Sequence, residues 1–149
     1  MKISSHGAVQ INCGDEIVKG RDIMINKIYG DGKYTISMSV HITTGNGLAV
    51  FISGGERPHL GGVALASPGA EIDGEQLSSC DLWTLTVPGH KDAQLAQKIA
   101  KKLCTALGEP VSVSLGVHVE HATMDEIKLL CDNVEAAADL FLKEYLEKD

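Results

Sequence analysis

The 149-residue sequence predicts an α+β domain: a mostly antiparallel β-sheet of about six strands carrying two helices. Three observations predict it. Apolar and polar residues alternate with period two over residues 34–43 and again over 111–119. Apolar residues recur at helical spacing over 92–107 and after Thr123. The segments also come in a telling order, several strands first and then strand, helix, strand, helix. No internal repeat, low-complexity tract or linker interrupts the chain, so residues 1–149 read as a single domain.

The elements follow in chain order. Residues 8–18 (Val9, Ile11, then Asn12-Cys13-Gly14-Asp15) read as an irregular edge strand with a turn. Residues 22–29 hold Ile23, Ile25 and Ile28 and run into Gly30-Asp31-Gly32, a turn leading straight into the next strand. There Tyr34, Ile36, Met38, Val40 and Ile42 alternate with Thr35, Ser37, Ser39, His41 and Thr43, as expected of one buried face and one wet face. Thr44-Gly45-Asn46-Gly47 supplies an Asn-Gly hairpin turn. Leu48-Ala49-Val50-Phe51-Ile52 is apolar on both faces, which predicts a central strand that completes a three-stranded antiparallel meander. Residues 63–66 read as another interior strand, and residues 67–81, with Pro68, Gly69, Gly74 and four acids, as an exposed loop or lid.

Residues 82–87 form a strand with Trp83, Leu85 and Val87 on one side, and it stops at Pro88-Gly89-His90. A helix opens with Asp92 in its first turn, where an acid suits the macrodipole. Its stripe is Leu95, Ile99, Leu103 and Leu107, with Cys104 beside it, and Gly108-Glu109-Pro110 ends it. Residues 111–119 alternate again, placing Val111, Val113, Leu115, Val117 and Val119 on one face. Thr123 and Glu126 then make a capping box for a long final helix striped by Ile127, Leu130, Cys131, Val134, Ala138, Phe141 and Tyr145. Both helices are expected on one face of the sheet.

Composition limits the function. A chain of this length buries roughly two-thirds of its unfolded surface and needs no metal or disulfide to fold. Aromatic residues make up only 4%, so the core is aliphatic and a base-stacking surface is not expected. A net charge of −7 with scattered lysines repels phosphate backbones and anionic bilayers, which argues against nucleic-acid or membrane partners. Cys13, Cys80, Cys104 and Cys131 form no CxxC pair, and the N-terminus carries no apolar signal run, so a reduced, cytoplasmic protein is expected. No apolar stretch approaches the ~20 residues that cross a bilayer.

Chemistry concentrates in the loop after residue 52. Gly54 and Gly55 can take positive φ and leave backbone N–H groups uncovered for an anion, and Pro58 fixes the approach to His59. Gly61 and Gly62 admit a second backbone or a ligand. Taken alone, this is either a tight inter-strand connection or a ligand loop. His59, His90 and His118 share a placement, each where a strand end meets a connection. If those ends lie on one side of the sheet the imidazoles converge, beside a helix N-terminus suited to phosphate.

Each histidine also has a plain structural role open to it: His90 as a helix cap, His118 on an exposed strand face, His59 pinning its own turn. His6 and His41 are expected to be solvated, and His121 is either a neighbour of the site or a helix-flanking residue. No catalytic residue is assigned, since Ser53 lacks a GxSxG frame and Cys80 lies in an acidic loop. The alternative is a zinc enzyme with His59, His90 and His118 as ligands and an open fourth position. It lacks HExxH or His-x-His spacing, and the nearby carboxylates are Glu56, Asp92 and Glu120.

The succession Gly54-Gly55-x-x-Pro58-His59-x-Gly61, then Val87-Pro88-Gly89-His90-Lys91-Asp92 opening a helix, then Gly116-Val117-His118-Val119 before a capped helix, resembles the prenylated flavin chaperone-like family. This is the LpdD-like small D subunit associated with gallate and other hydroxyarylic acid decarboxylases. The resemblance runs from about residue 22 to 142 and implies a fold like that of proteasome-assembly chaperones. It implies a non-catalytic accessory role: binding or delivering prenylated FMN or FMN, or assisting maturation of a UbiD-type decarboxylase. Gly54, Gly55, Arg57, His59, Gly61, His90, Lys91 and His118 are the positions expected to meet the cofactor. The expected partners are the decarboxylase and a flavin prenyltransferase, with a second copy of the chain as a further candidate. Arg57 and Lys91 are the nearby cations, and Trp83 and Phe51, the aromatic residues within reach of a flavin ring, are expected in the core. An assembly chaperone with no small ligand is the third possibility for the same chain.

Overall fold

The computed structural model describes residues 24–43 and 45–147; the edge strand expected at 8–18, with His6 and Cys13, lies outside the described residues. Within the described residues, eight strands and two α-helices follow one another, with a 3-10 turn at Gly32–Tyr34: β1 (Met24–Tyr29), β2 (Ile36–Ile42), β3 (Leu48–Gly55), β4 (Gly62–Pro68), β5 (Glu71–Ile72), β6 (Glu75–Gln76), β7 (Cys80–Thr86), α1 (Asp92–Leu107), β8 (Val111–His118) and α2 (Met124–Glu147). Six strands form one sheet in the order β1-β2-β3-β8-β4-β7, mostly antiparallel as expected. The exception is the central pair β3 and β8, which run parallel from Leu48↔Val111 to Gly55↔His118.

Both helices lie on one face, α1 over β4, β7 and β8 and α2 over β1 and β2. Between them and the sheet sits an aliphatic core that includes Ile36, Met38, Val40, Ile52, Ile99, Leu103, Val113, Leu115, Val134 and Phe141, all fully buried. Cys104 is part of it, and burial pushes its thiol up to about 11. Among the described residues no helix is long and apolar enough to cross a membrane.

The ends of the helices follow their sequence signals. Gly108 closes α1 in the left-handed region at φ 66°, its N–H donating to the Cys104 carbonyl at 2.8 Å. At the start of α2 the Thr123 N–H donates to Glu126 Oε2 at 2.8 Å, and the Glu126 N–H to Thr123 Oγ1 at 3.2 Å. Glu126 also binds Lys33 at 2.7 Å and accepts the Tyr34 hydroxyl at 2.6 Å. The hydrogen bonds from Lys33 and then Tyr34 hold its carboxyl down at about 2.

Three expectations need correction. Leu48–Gly55 is central but covered on one face only: Val50 and Ile52 are buried, whereas Phe51 is 44% exposed. Trp83 and Leu85 do share a side, but it is the outer one, and they are 56% and 74% exposed rather than core. Among the described residues helices cover one face of the sheet and none covers the other, and that physical fact explains both. Residues 67–81 are also more ordered than a plain loop. β4 runs on to Pro68, β7 begins at Cys80, and β5 and β6 make a hairpin between them. Asp73 and Gly74 turn that hairpin with φ 54° and 82°, an Asp-Gly signal legible in the sequence.

Candidate functional site

Because β8 sits between β3 and β4, the connection from β3 to β4 must cross the C-terminal end of β8. Hydrogen bonds record the crossing. Glu56 and Arg57 donate their N–H groups to the His118 carbonyl at 2.7 and 3.3 Å, and Gly61 donates to the Leu115 carbonyl at 2.9 Å. The crossing passes so close that a Cβ on Gly116 would overlap the His59 carbonyl, and one on Gly61 would overlap the Asp92 carboxylate. These glycines admit protein atoms rather than a ligand. The N–H groups expected to lie uncovered are occupied too: Gly55 donates to the Thr35 carbonyl at 3.1 Å, and Gly54 is a β3 residue paired with Ile36 and Val117. No anion nest remains across Gly54–Arg57, since the next two amides serve His118.

The same topology brings the three histidines together. β3 and β8 end, and β4 begins, at one edge of the sheet, and Gly62 pairs with Thr86 so that β7 ends there as well. The His59 ring lies 4.6 Å from that of His90 and 6.3 Å from that of His118, centroid to centroid. His59 is pinned at both nitrogens, Nδ1 2.8 Å from the Arg57 carbonyl and Nε2 3.1 Å from Asp92 Oδ2. His90 Nδ1 is 3.6 Å from the same carboxylate oxygen. The Asp92 side chain is only 8% exposed, and its other oxygen accepts the Val117 N–H at 3.0 Å, tying the start of α1 to β8.

His118 belongs to a wetter group. Its Nε2 meets Glu120 Oε2 at 3.1 Å, and Arg57 approaches the same oxygen at 3.5 Å. The His118 hydrogen bond, then the Arg57 charge, lower the Glu120 carboxyl. Lys91, not His90, is the cap residue of α1, and it makes no side-chain capping bond. A pocket of about 410 Å³ opens between the starts of α1 and α2, with His59, His90, Lys91, His118 and His121 around it and Leu95, Val117, Ile127 and Leu130 as apolar walls. Its size falls in the range of small-molecule sites. Cys131 also lines it, and burial raises its thiol, so it is not set up as a nucleophile.

Asp92 is the residue that sequence reasoning undervalued, as a macrodipole acid and one of three carboxylates near the histidines rather than their shared partner. Its position two residues after His90, at the joint between a strand end and a helix, was the available signal. Phe51 and Trp83 lie on the outer face of the sheet, away from the pocket's helix-side walls.

The model of the prenylated flavin chaperone LpdD-like domain matches residues 30–146. The chain belongs to that family. The match spans every element described here except β1 and the last residue of α2. No curated protein matches the chain. Among solved structures it is similar to a chain of a chaperone complex for yeast 20S proteasome assembly, with 11% identity, a TM-score of 0.47, and coverage of 85% of this chain and 94% of that one.

Proposed function

We propose that the protein is a cytoplasmic accessory protein that holds prenylated FMN or FMN for a UbiD-type hydroxyarylic acid decarboxylase, with no catalytic step of its own. Family membership supports the flavin, and the convergence of His59, His90 and His118 on one pocket supports the place. The lining fits an amphipathic cofactor. Lys91, His90 and His118 offer donors for a phosphate, and Leu95, Val117, Ile127 and Leu130 offer apolar surface for a ring system. Arg57 stands nearby, paired with Glu120. Gly54, Gly55 and Gly61 serve by letting the loop cross β8 rather than by contacting the cofactor.

The same proposal gives the outer face of the sheet to a second copy of the chain. Six strands of 6 to 8 residues present roughly 700 Å² there at the usual strand spacing and rise, close to the ~800 Å² per partner of a standard interface. Two rows across that face carry no Asp, Glu, Lys or Arg: Met24, His41, Ala49, Ser112, Leu65, Trp83, and Asn26, Ser39, Phe51, Ser114, Val63, Leu85. In a chain of net charge −7, such a face is where two copies meet without repulsion.

Anaerobic titration with FMN and with its prenylated form, followed by flavin fluorescence, tests the cofactor assignment. Stoichiometric binding weakened about tenfold by Lys91→Ala or His118→Ala supports it. Absence of binding at ~100 μM, with the decarboxylase still co-purifying, would replace it with an assembly chaperone that has no small ligand.

A further inference from the structure

We infer that His59, His90 and Asp92 form a binding site for one divalent transition-metal ion. The donor atoms are His59 Nε2, His90 Nδ1 and Asp92 Oδ2, which lie within 4.8 Å of one another. The set differs from the three-histidine arrangement suggested by the sequence, because His118 is turned to Glu120 and Asp92 takes its place.

The tautomer of His59 carries the inference. A carbonyl oxygen only accepts, so the 2.8 Å contact between Nδ1 and the Arg57 carbonyl requires the proton on Nδ1. In the neutral ring Nε2 then presents a lone pair, and what it faces at 3.1 Å is a carboxylate oxygen with lone pairs of its own. Two acceptors at that distance need a cation between them, a second proton or a metal ion. Backbone-anchored Nδ1 with Nε2 directed at the ion is the usual way a protein orients an imidazole ligand.

Asp92 is prepared in the same manner. The Val117 N–H holds Oδ1, the crossing at Gly61 confines the carboxylate, and Oδ2 is left to the two imidazoles. Among the described residues, His59 and His90 are the ion-pair partners of this nearly buried carboxylate. Separations of 3.1 and 3.6 Å from Oδ2 to the two nitrogens match those between ligands about 2.0–2.2 Å from a common ion, and the three donors, all within 4.8 Å of one another, would draw in on it as it binds. Two imidazoles and one carboxylate suit Zn²⁺, Fe²⁺ or Co²⁺ better than Mg²⁺ or Ca²⁺, and three protein donors leave a position for water.

The site shares His59 and His90 with the pocket proposed for the flavin, and its test uses the protein and the metal alone. Chelator-treated protein is titrated with Zn²⁺ by calorimetry and with Co²⁺ by its visible absorption. One ion per chain is expected, with His59→Ala, His90→Ala and Asp92→Asn each weakening Zn²⁺ about 100-fold or more and His118→Ala changing it less than about threefold. Asp92→Asn retains an acceptor for the Val117 N–H, and His90 is partly exposed, so circular dichroism separates lost ligation from lost folding. Stoichiometric binding absent below ~0.1 mM, unchanged affinity in His59→Ala and His90→Ala, or an equal loss in His118→Ala would overturn the assignment.

Discussion

Phe51 and Ile52 are neighbours on the same central strand, yet one is 44% exposed and the other fully buried. The two faces of the sheet differ in the same way. The inner face is sealed by α1 and α2 into an aliphatic core, whereas no described element covers the outer face, which still carries Phe51, Leu65, Trp83 and Leu85. Apolar character is therefore not a measure of burial within one chain. Alternation says which side chains share a face; the element packed on that face decides what becomes of them.

Substitutions on the two faces should separate these roles. Ile52→Ala opens a cavity beneath the helices and is expected to lower stability by about 2–5 kcal/mol, seen as a shifted denaturation midpoint at every protein concentration. Phe51→Lys touches nothing in the monomer's core. It should leave monomer stability within about 0.5 kcal/mol while abolishing dimer in sedimentation or light scattering. A wild-type chain that is monomeric at high concentration would overturn the second-copy assignment.

A smaller effect concerns Glu126, which fastens α2 to the turn before β2. Its carboxyl is held near 2, below the ~4.3 of an unfolded chain, so its contribution is complete above the unfolded value and is lost as pH falls toward 2. Glu126→Gln should flatten the decline of the urea midpoint between about pH 5 and 2. An unchanged acid slope would mean that Lys33 and Tyr34 do not hold the carboxylate in solution.

The elements themselves were largely legible, because each has a local physical cause. Period-two alternation marked β2 and β8, and Thr123 with Glu126 marked the start of α2. The convergence of His59, His90 and His118 was legible as a conditional, since all three stand at strand ends. What turned the condition into geometry was the insertion of β8 between β3 and β4, parallel to the first, and pairing between residues more than forty positions apart leaves no local periodicity to read. Asp92 was named beside Glu56 and Glu120, but what sets it apart from them was hidden for a related reason. An acid at a helix start has a sufficient local explanation, and its role toward His59 depends on a contact across 33 residues.

The placement of β8 also orders events in time. Until Val111–His118 has been made and docked, β3 and β4 are not neighbours of anything between them, and each keeps an open edge in what will be the middle of the sheet. The His118 carbonyl that fixes Glu56 and Arg57, and the Val117 amide that fixes Asp92, arrive on that same strand. The pocket therefore cannot form ahead of the fold, and a chain stopped before residue 111 would hold His59, His90 and Asp92 without anything to assemble them.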